Sequence, residues 1–147
     1  LNDIEGVWDD GHMAGLAAEF GATFVTMYNA RQPTGRPLID ELRDELGAAA
    51  QRAEAAGVAH DRVVIDPGFG FGNVPGHEAE LVSHLPELVA LGYPVLVGPS
   101  RKRFIGRGAF DAVVVALAIA SGVSVVRVHD VRQIARVARM TDALVRG

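Results

Sequence analysis

Residues 63–72 read VVIDPGFGFG: a β-branched run, a carboxylate, a proline-glycine turn and a glycine-rich loop. An uninterrupted β-branched run suits a strand covered on both faces, as in a parallel sheet. A carboxylate at its end stands where (β/α) folds place reactive groups. Two other segments repeat the plan: VLVGPSRKRFIG (95–106) ends a strand in a basic cluster, and VSVVRVHDV (123–131) ends one in an arginine and a histidine. The expected class is α/β with a parallel sheet and chemistry at the strand C-terminal ends.

Working outward, the opening LNDI reads as the tail of a strand, so further units are expected upstream of Leu1. His12 to Phe20 is a short helix stopped by Gly21, and Thr23 to Met27 is the next strand. Pro37 sits where a first-turn proline is tolerated, and Leu38, Leu42, Leu46, Ala49, Ala53 and Ala56 form one apolar stripe ended by Gly57. Arg62 to Ile65 is strand. Glu78 to Leu91 is helical but contains Pro86, which predicts a kink or two short helices. Pro94 to Gly98 and Val123 to Val128 are strands, Ala109 to Ser121 is a helix, and Val131 to Arg146 is a last helix with Ile134, Val137, Thr141 and Leu144 inward. Arginines 132, 136, 139 and 146 read as its solvated face. Residues 1–147 contain no linker, long repeat or low-complexity tract and are expected to form one domain.

Composition bounds the function. A net charge of −4 with a pI near 5.7 gives no general attraction to nucleic acid, so an anion must be bound locally. The absence of cysteine rules out disulfides and thiolate metal sites and fits a cytoplasmic protein. The apolar run 112–120 is too short to span a bilayer, and no membrane partner is expected.

Alternation along VSVVRVHD puts Val123, Val125, Arg127 and His129 on one face and Val126 and Val128 on the other. Arg127 and His129 would then converge beside Asp130, a candidate N-cap of the last helix, as donors for an anion. The plainer alternative is that Arg127 pairs with a structural carboxylate and His129 packs as a satisfied histidine. Asp66 can hold paired N–H donors of an amino-substituted heterocycle, with Gly70 and Gly72 allowing close approach and Phe69 or Phe71 covering a ring face; the alternative is a turn with an aspartate cap. Lys102, after a glycine-proline turn and before apolar residues, can donate to a ring carbonyl or nitrogen; the alternative is a solvated charge run over Ser100, Arg101, Lys102 and Arg103.

Taken in order, LNDI, DPGFGFG, VGPSRKRFIG and VRVHDV resemble the dihydropteroate synthase family, which joins a pterin diphosphate to p-aminobenzoate in folate biosynthesis and is a sulfonamide target. The resemblance implies a (β/α)8 TIM barrel with about three N-terminal β/α units not represented in this sequence. It implies pterin contacts from Asn2, Met27, Asp66, Phe71, Gly98 and Lys102, diphosphate binding by Arg127 and His129, and a p-aminobenzoate side at Ser100 and Arg101. Lys102, Arg127 and His129 would be catalytic. A magnesium ion is implied as cofactor, with no ligand to it in this segment. The family usually has a longer loop at the Gly106–Arg107 join. Tyr28 stands where it commonly has histidine, and Asn73 where lysine is frequent, both bearing on substrate affinity. The nearly all-apolar helix 109–121 predicts a homodimer contact. Two rivals remain: a methyltetrahydrofolate-binding methyltransferase domain, which would not need residues 100–102 or the Arg127/His129 pair, and an inactive pterin-binding paralogue.

Overall fold

The computed structural model describes residues 1–8, 10–29, 35–71, 77–99 and 109–147. Strands and helices alternate: β1 (Asn2–Asp3), a 3-10 turn (Gly6–Trp8), α1 (His12–Glu19), β2 (Phe24–Met27), α2 (Leu38–Ala55), a 3-10 turn (His60–Arg62), β3 (Val63–Asp66), α3 (His77–Val89), β4 (Leu96–Val97), α4 (Ala109–Ala120), β5 (Val125–Val126) and α5 (Val131–Val145). Every pairing is parallel. β1 pairs with β2 and β2 with β3, a bridge joins Ile65 to Val95, and β4 pairs with β5, so spatial order follows chain order. The α/β class and parallel sheet expected from sequence are present.

The register divides the sheet into two faces. Phe24 lies beside Val63, Ile65 beside Val95, and Val97 beside Val126; all six pack into the cluster that holds the helices' apolar stripes. Alternation sends the intervening residues, Val64, Met27, Asp66, Leu96 and Val125, to the opposite face. That face carries the chemistry.

α2 forms where its periodicity placed it. Leu42, Leu46 and Ala50 are fully buried, with Leu38, Ala49 and Ala53 beside them, and each buried leucine is worth about 1.5–3 kcal/mol. α3 runs continuously through Pro86 rather than splitting into two helices. Leu81, Leu85 and Leu88 pack into the core on either side of the proline, and this burial offsets the lost backbone bond. β5 is shorter than the expected 123–128. Val123 turns into the helix-side core instead of sharing a face with Val125, because its N–H closes the end of α4 on the Ala118 carbonyl at 3.0 Å. On α5, Ile134 is buried, but Leu144 is exposed, so the predicted inward stripe fades along the helix. No helix among the described residues is long and apolar enough to cross a membrane.

Tyr28, the residue after β2, belongs to the helix side. It is buried in the core, and its hydroxyl is hydrogen-bonded to the buried Glu41 of α2. Desolvation first, and the Glu41 carboxylate second, raise the tyrosine's pKa above its ordinary value. Tyr93 shifts the same way through desolvation and Glu54. A raised folded-state pKa contributes stability below the unfolded value of about 10 and loses it as pH rises through the folded value. Thermal melts at pH 8 and pH 11 are therefore expected to show a large drop for the native chain. Tyr28→Phe should start lower, by about 1–3 kcal/mol for the abandoned Glu41, but lose less between the two pH values.

Candidate functional site

The strand ends meet at one edge of the sheet. β3 ends at Asp66, whose neighbour in register is Met27. Pairing continues one step further, with the Tyr28 N–H donating to the Asp66 carbonyl at 2.9 Å. On the other side, the Arg127 N–H donates to the Val97 carbonyl at 2.9 Å, which carries the β4–β5 pairing to Gly98 and Arg127. Parity then places Asp66, Gly98 and Arg127 on the face away from the helices.

Asp66 is 1% exposed. One carboxylate oxygen accepts the Gly68 N–H at 2.8 Å, and the other lies 3.8 Å from an Arg127 guanidinium nitrogen. The turn-capping alternative for Asp66 and the carboxylate-pairing alternative for Arg127 both describe this geometry, because the two oxygens point to different partners. Pro67 and Gly68 carry the chain across the end of β2, and Gly68 has φ 76° with its Cα against the Tyr28 carbonyl. Any Cβ there would collide with that oxygen. Phe71 closes the turn, its N–H donating to the Gly68 carbonyl at 3.0 Å.

Gly98 lies under the guanidinium of Arg127: a Cβ built on it would sit 3.3 Å from Nη2 and 3.5 Å from Nε. The Arg127 side chain is 48% exposed, so its charged end borders solvent while its inner edge faces Asp66. His129 follows two residues later. It lines a groove of about 700 Å³ with Asp130, Val131, Arg132, Gln133 and Arg136 at the start of α5. The β5 strand ends at Val126, so both residues stand on the short stretch of chain that leads from it into α5. Asp130 occupies the N-cap position of α5, but its side chain makes no capping hydrogen bond.

The remaining expected site residues divide three ways. Asn2 is exposed on β1 in register with Val25, and Phe71 is half-buried. Met27 is completely buried beneath the Asp66 turn. Phe69 is 1% exposed in the helix-side core and so covers no ligand face. Gly72, Asn73, Ser100, Arg101, Lys102, Arg103 and the 106–107 join lie outside the described residues. Reading the sequence missed Arg132 and Arg136 as groove-lining residues; their spacing of four on a helix that starts at His129's loop was the available signal. It also missed the burial of Glu41, whose partner comes from another element.

Among the described residues, no group of three or more His, Cys, Asp or Glu side chains could hold a metal ion. The arrangement can present one buried carboxylate to hydrogen-bond donors and, next to it, a half-exposed guanidinium to an anion.

The family model described as pterin binding enzyme matches residues 1–129. The dihydropteroate synthase of Bacillus subtilis is 37% identical over 153 residues, covering 98% of this chain and 54% of that protein. The Mycobacterium leprae dihydropteroate synthase is 42% identical over 155 residues, covering 90% of this chain and 55% of that protein. The chain thus spans about half the length of the curated relatives it matches. Among solved structures, the Thermus thermophilus dihydropteroate synthase in complex with 6HMPPP superposes with a TM-score of 0.88 at 38% identity, covering 98% of this chain and 63% of that one. The Clostridium difficile enzyme, solved in the presence of pteroic acid, gives 0.90 at 33% identity, covering 99% and 59%.

The Asp66 turn depends on a backbone conformation that only glycine adopts without strain. Gly68→Ala is expected to lower stability by at least about 2 kcal/mol, read from urea unfolding, because left-handed backbone and a carbonyl clash add. Gly92→Ala, at φ 89° but with open space around it, should cost less.

Proposed function

The chain belongs to the pterin-binding enzyme family, and on that premise we propose that it supplies the pterin- and diphosphate-binding face of a dihydropteroate synthase. The reaction joins 6-hydroxymethyl-7,8-dihydropterin diphosphate to p-aminobenzoate, with release of diphosphate. The observation that carries this reading is the buried Asp66 carboxylate at a strand end with Arg127 3.8 Å away and side-chain-free Gly98 beneath the guanidinium. Solved relatives bound to 6HMPPP and to 4-aminobenzoate support the two substrate classes.

In this reading, Asp66 accepts paired N–H donors of the pterin ring and so fixes its orientation. Asn2 and Lys102 add hydrogen bonds to the ring, while Phe71 and Gly98 bound its slot. Met27 lies beneath as support. Arg127 and His129 take the diphosphate, and Ser100 and Arg101 border the aromatic amine. The carbon–oxygen bond at the pterin methylene breaks with its electron pair leaving on diphosphate. Positive charge spreads into the ring, the amine of p-aminobenzoate adds, and it loses a proton. Positioning and leaving-group stabilisation carry the rate, so no covalent nucleophile is required.

Magnesium belongs to the reading as a counter-ion to the diphosphate. Among the described residues, no cluster of ligating side chains fits it as a cage. The proposal extends to a complete (β/α)8 barrel, a single domain, a cytoplasmic location and sulfonamide sensitivity.

The homodimer is part of the same proposal. Val113 and Leu117, one helical turn apart on α4, are 56% and 49% exposed on a helix that is apolar nearly all round. Light scattering of the full-length enzyme is expected to give a dimer, and Leu117→Glu a monomer; a monomeric native enzyme overturns the contact. For the reaction, Arg127→Ala or Lys102→Ala in the full-length enzyme is expected to reduce pterin diphosphate turnover by at least about tenfold, about 1.4 kcal/mol of transition-state stabilisation. Undiminished turnover in both variants refutes the assigned roles.

A further inference from the structure

Arg127 stands at the junction of two recognition tasks. On one side is a carboxylate that is 1% exposed, and a buried negative charge without a cation costs several kcal/mol. On the other is solvent, reached by a guanidinium whose side chain is 48% exposed. The 3.8 Å separation from Asp66 gives charge compensation without the close bidentate geometry that would lock the pair. Gly98 offers the guanidinium a flat backbone floor with no Cβ to fix it in place. The same Asp66 oxygens are those that a pterin's ring donors need.

We propose that Arg127 exchanges between two anionic partners, the Asp66 carboxylate and the diphosphate of the incoming substrate, so that ring recognition and diphosphate recognition are coupled through its guanidinium. This rests on the pterin diphosphate reading above and goes beyond it: Arg127 links the two halves of the substrate as well as holding one. When a diphosphate draws the guanidinium away, the Asp66 carboxylate gives up that contact and takes the ring's N–H donors in its place. A ring lacking diphosphate must compete with Arg127 for the same carboxylate. Linkage makes the effect reciprocal, so each half of the substrate strengthens the binding of the other.

The test follows the Asp66 carboxyl by NMR, with Asp66→Asn to assign its signal, using inorganic diphosphate as the probe. Saturating diphosphate is expected to raise the Asp66 titration midpoint by about one unit in the native chain. Arg127→Gln should raise it without diphosphate and lose most of the response. An unmoved midpoint in the native chain, or an equal response in Arg127→Gln, overturns the exchange. The native arm needs no variant to fold. Calorimetry with 6-hydroxymethylpterin supplies the second readout: inorganic diphosphate is expected to tighten its binding about fivefold or more in the native chain and not in Arg127→Gln. Absent or weakened coupling in the native chain counts against the proposal. If pterin gives no heat while the Asp66 midpoint still responds to diphosphate through Arg127, the substrate reading fails and the exchange stands.

Discussion

A carboxylate buried at the end of a parallel strand is costly unless each oxygen finds a partner, and the organisation of this site follows from how that cost is met at Asp66. One oxygen takes the Gly68 N–H and the other faces Arg127. The first contact requires the chain to double back directly after the strand, which brings Gly68 against the Tyr28 carbonyl at a φ that favours glycine. The second requires β5 to end two strands away at the same height. Both conditions come from register: Met27 beside Asp66, and Val97 beside Val126.

The sheet separates packing from chemistry by side-chain parity. Ile65 and Val97 anchor the helix layer, and Asp66 and Gly98, the residues immediately after them, turn to the other face. Tyr28 shows the consequence. Next to Met27 in sequence, it points into the helix layer and bonds Glu41 of α2, so its place is one of core packing and buried polar pairing. A histidine there would meet the same carboxylate with a different charge and shape.

The two ends of the strand order are flanked by exposed apolar side chains: Leu1 and Ile4 at β1, and Val125, Val131 and Met140 around β5. Parallel sheets are stable with both faces and both edges covered.

Local sequence determined the alternation of strands and helices, the α2 stripe and the placement of Asp66, Gly98 and Arg127 at strand ends, because β-branched runs, helical periodicity and glycine turns act over a few residues. It also carried the motifs that mark the pterin-binding family. Tertiary structure alone decided that Phe69 fills the core, that Met27 lies buried beneath the turn, that α3 runs through Pro86, and that Arg127 faces Asp66. Each of these depends on contacts between elements far apart in the chain. Which of two partners a side chain meets is set by the packing of the whole layer, and no short window of residues encodes it.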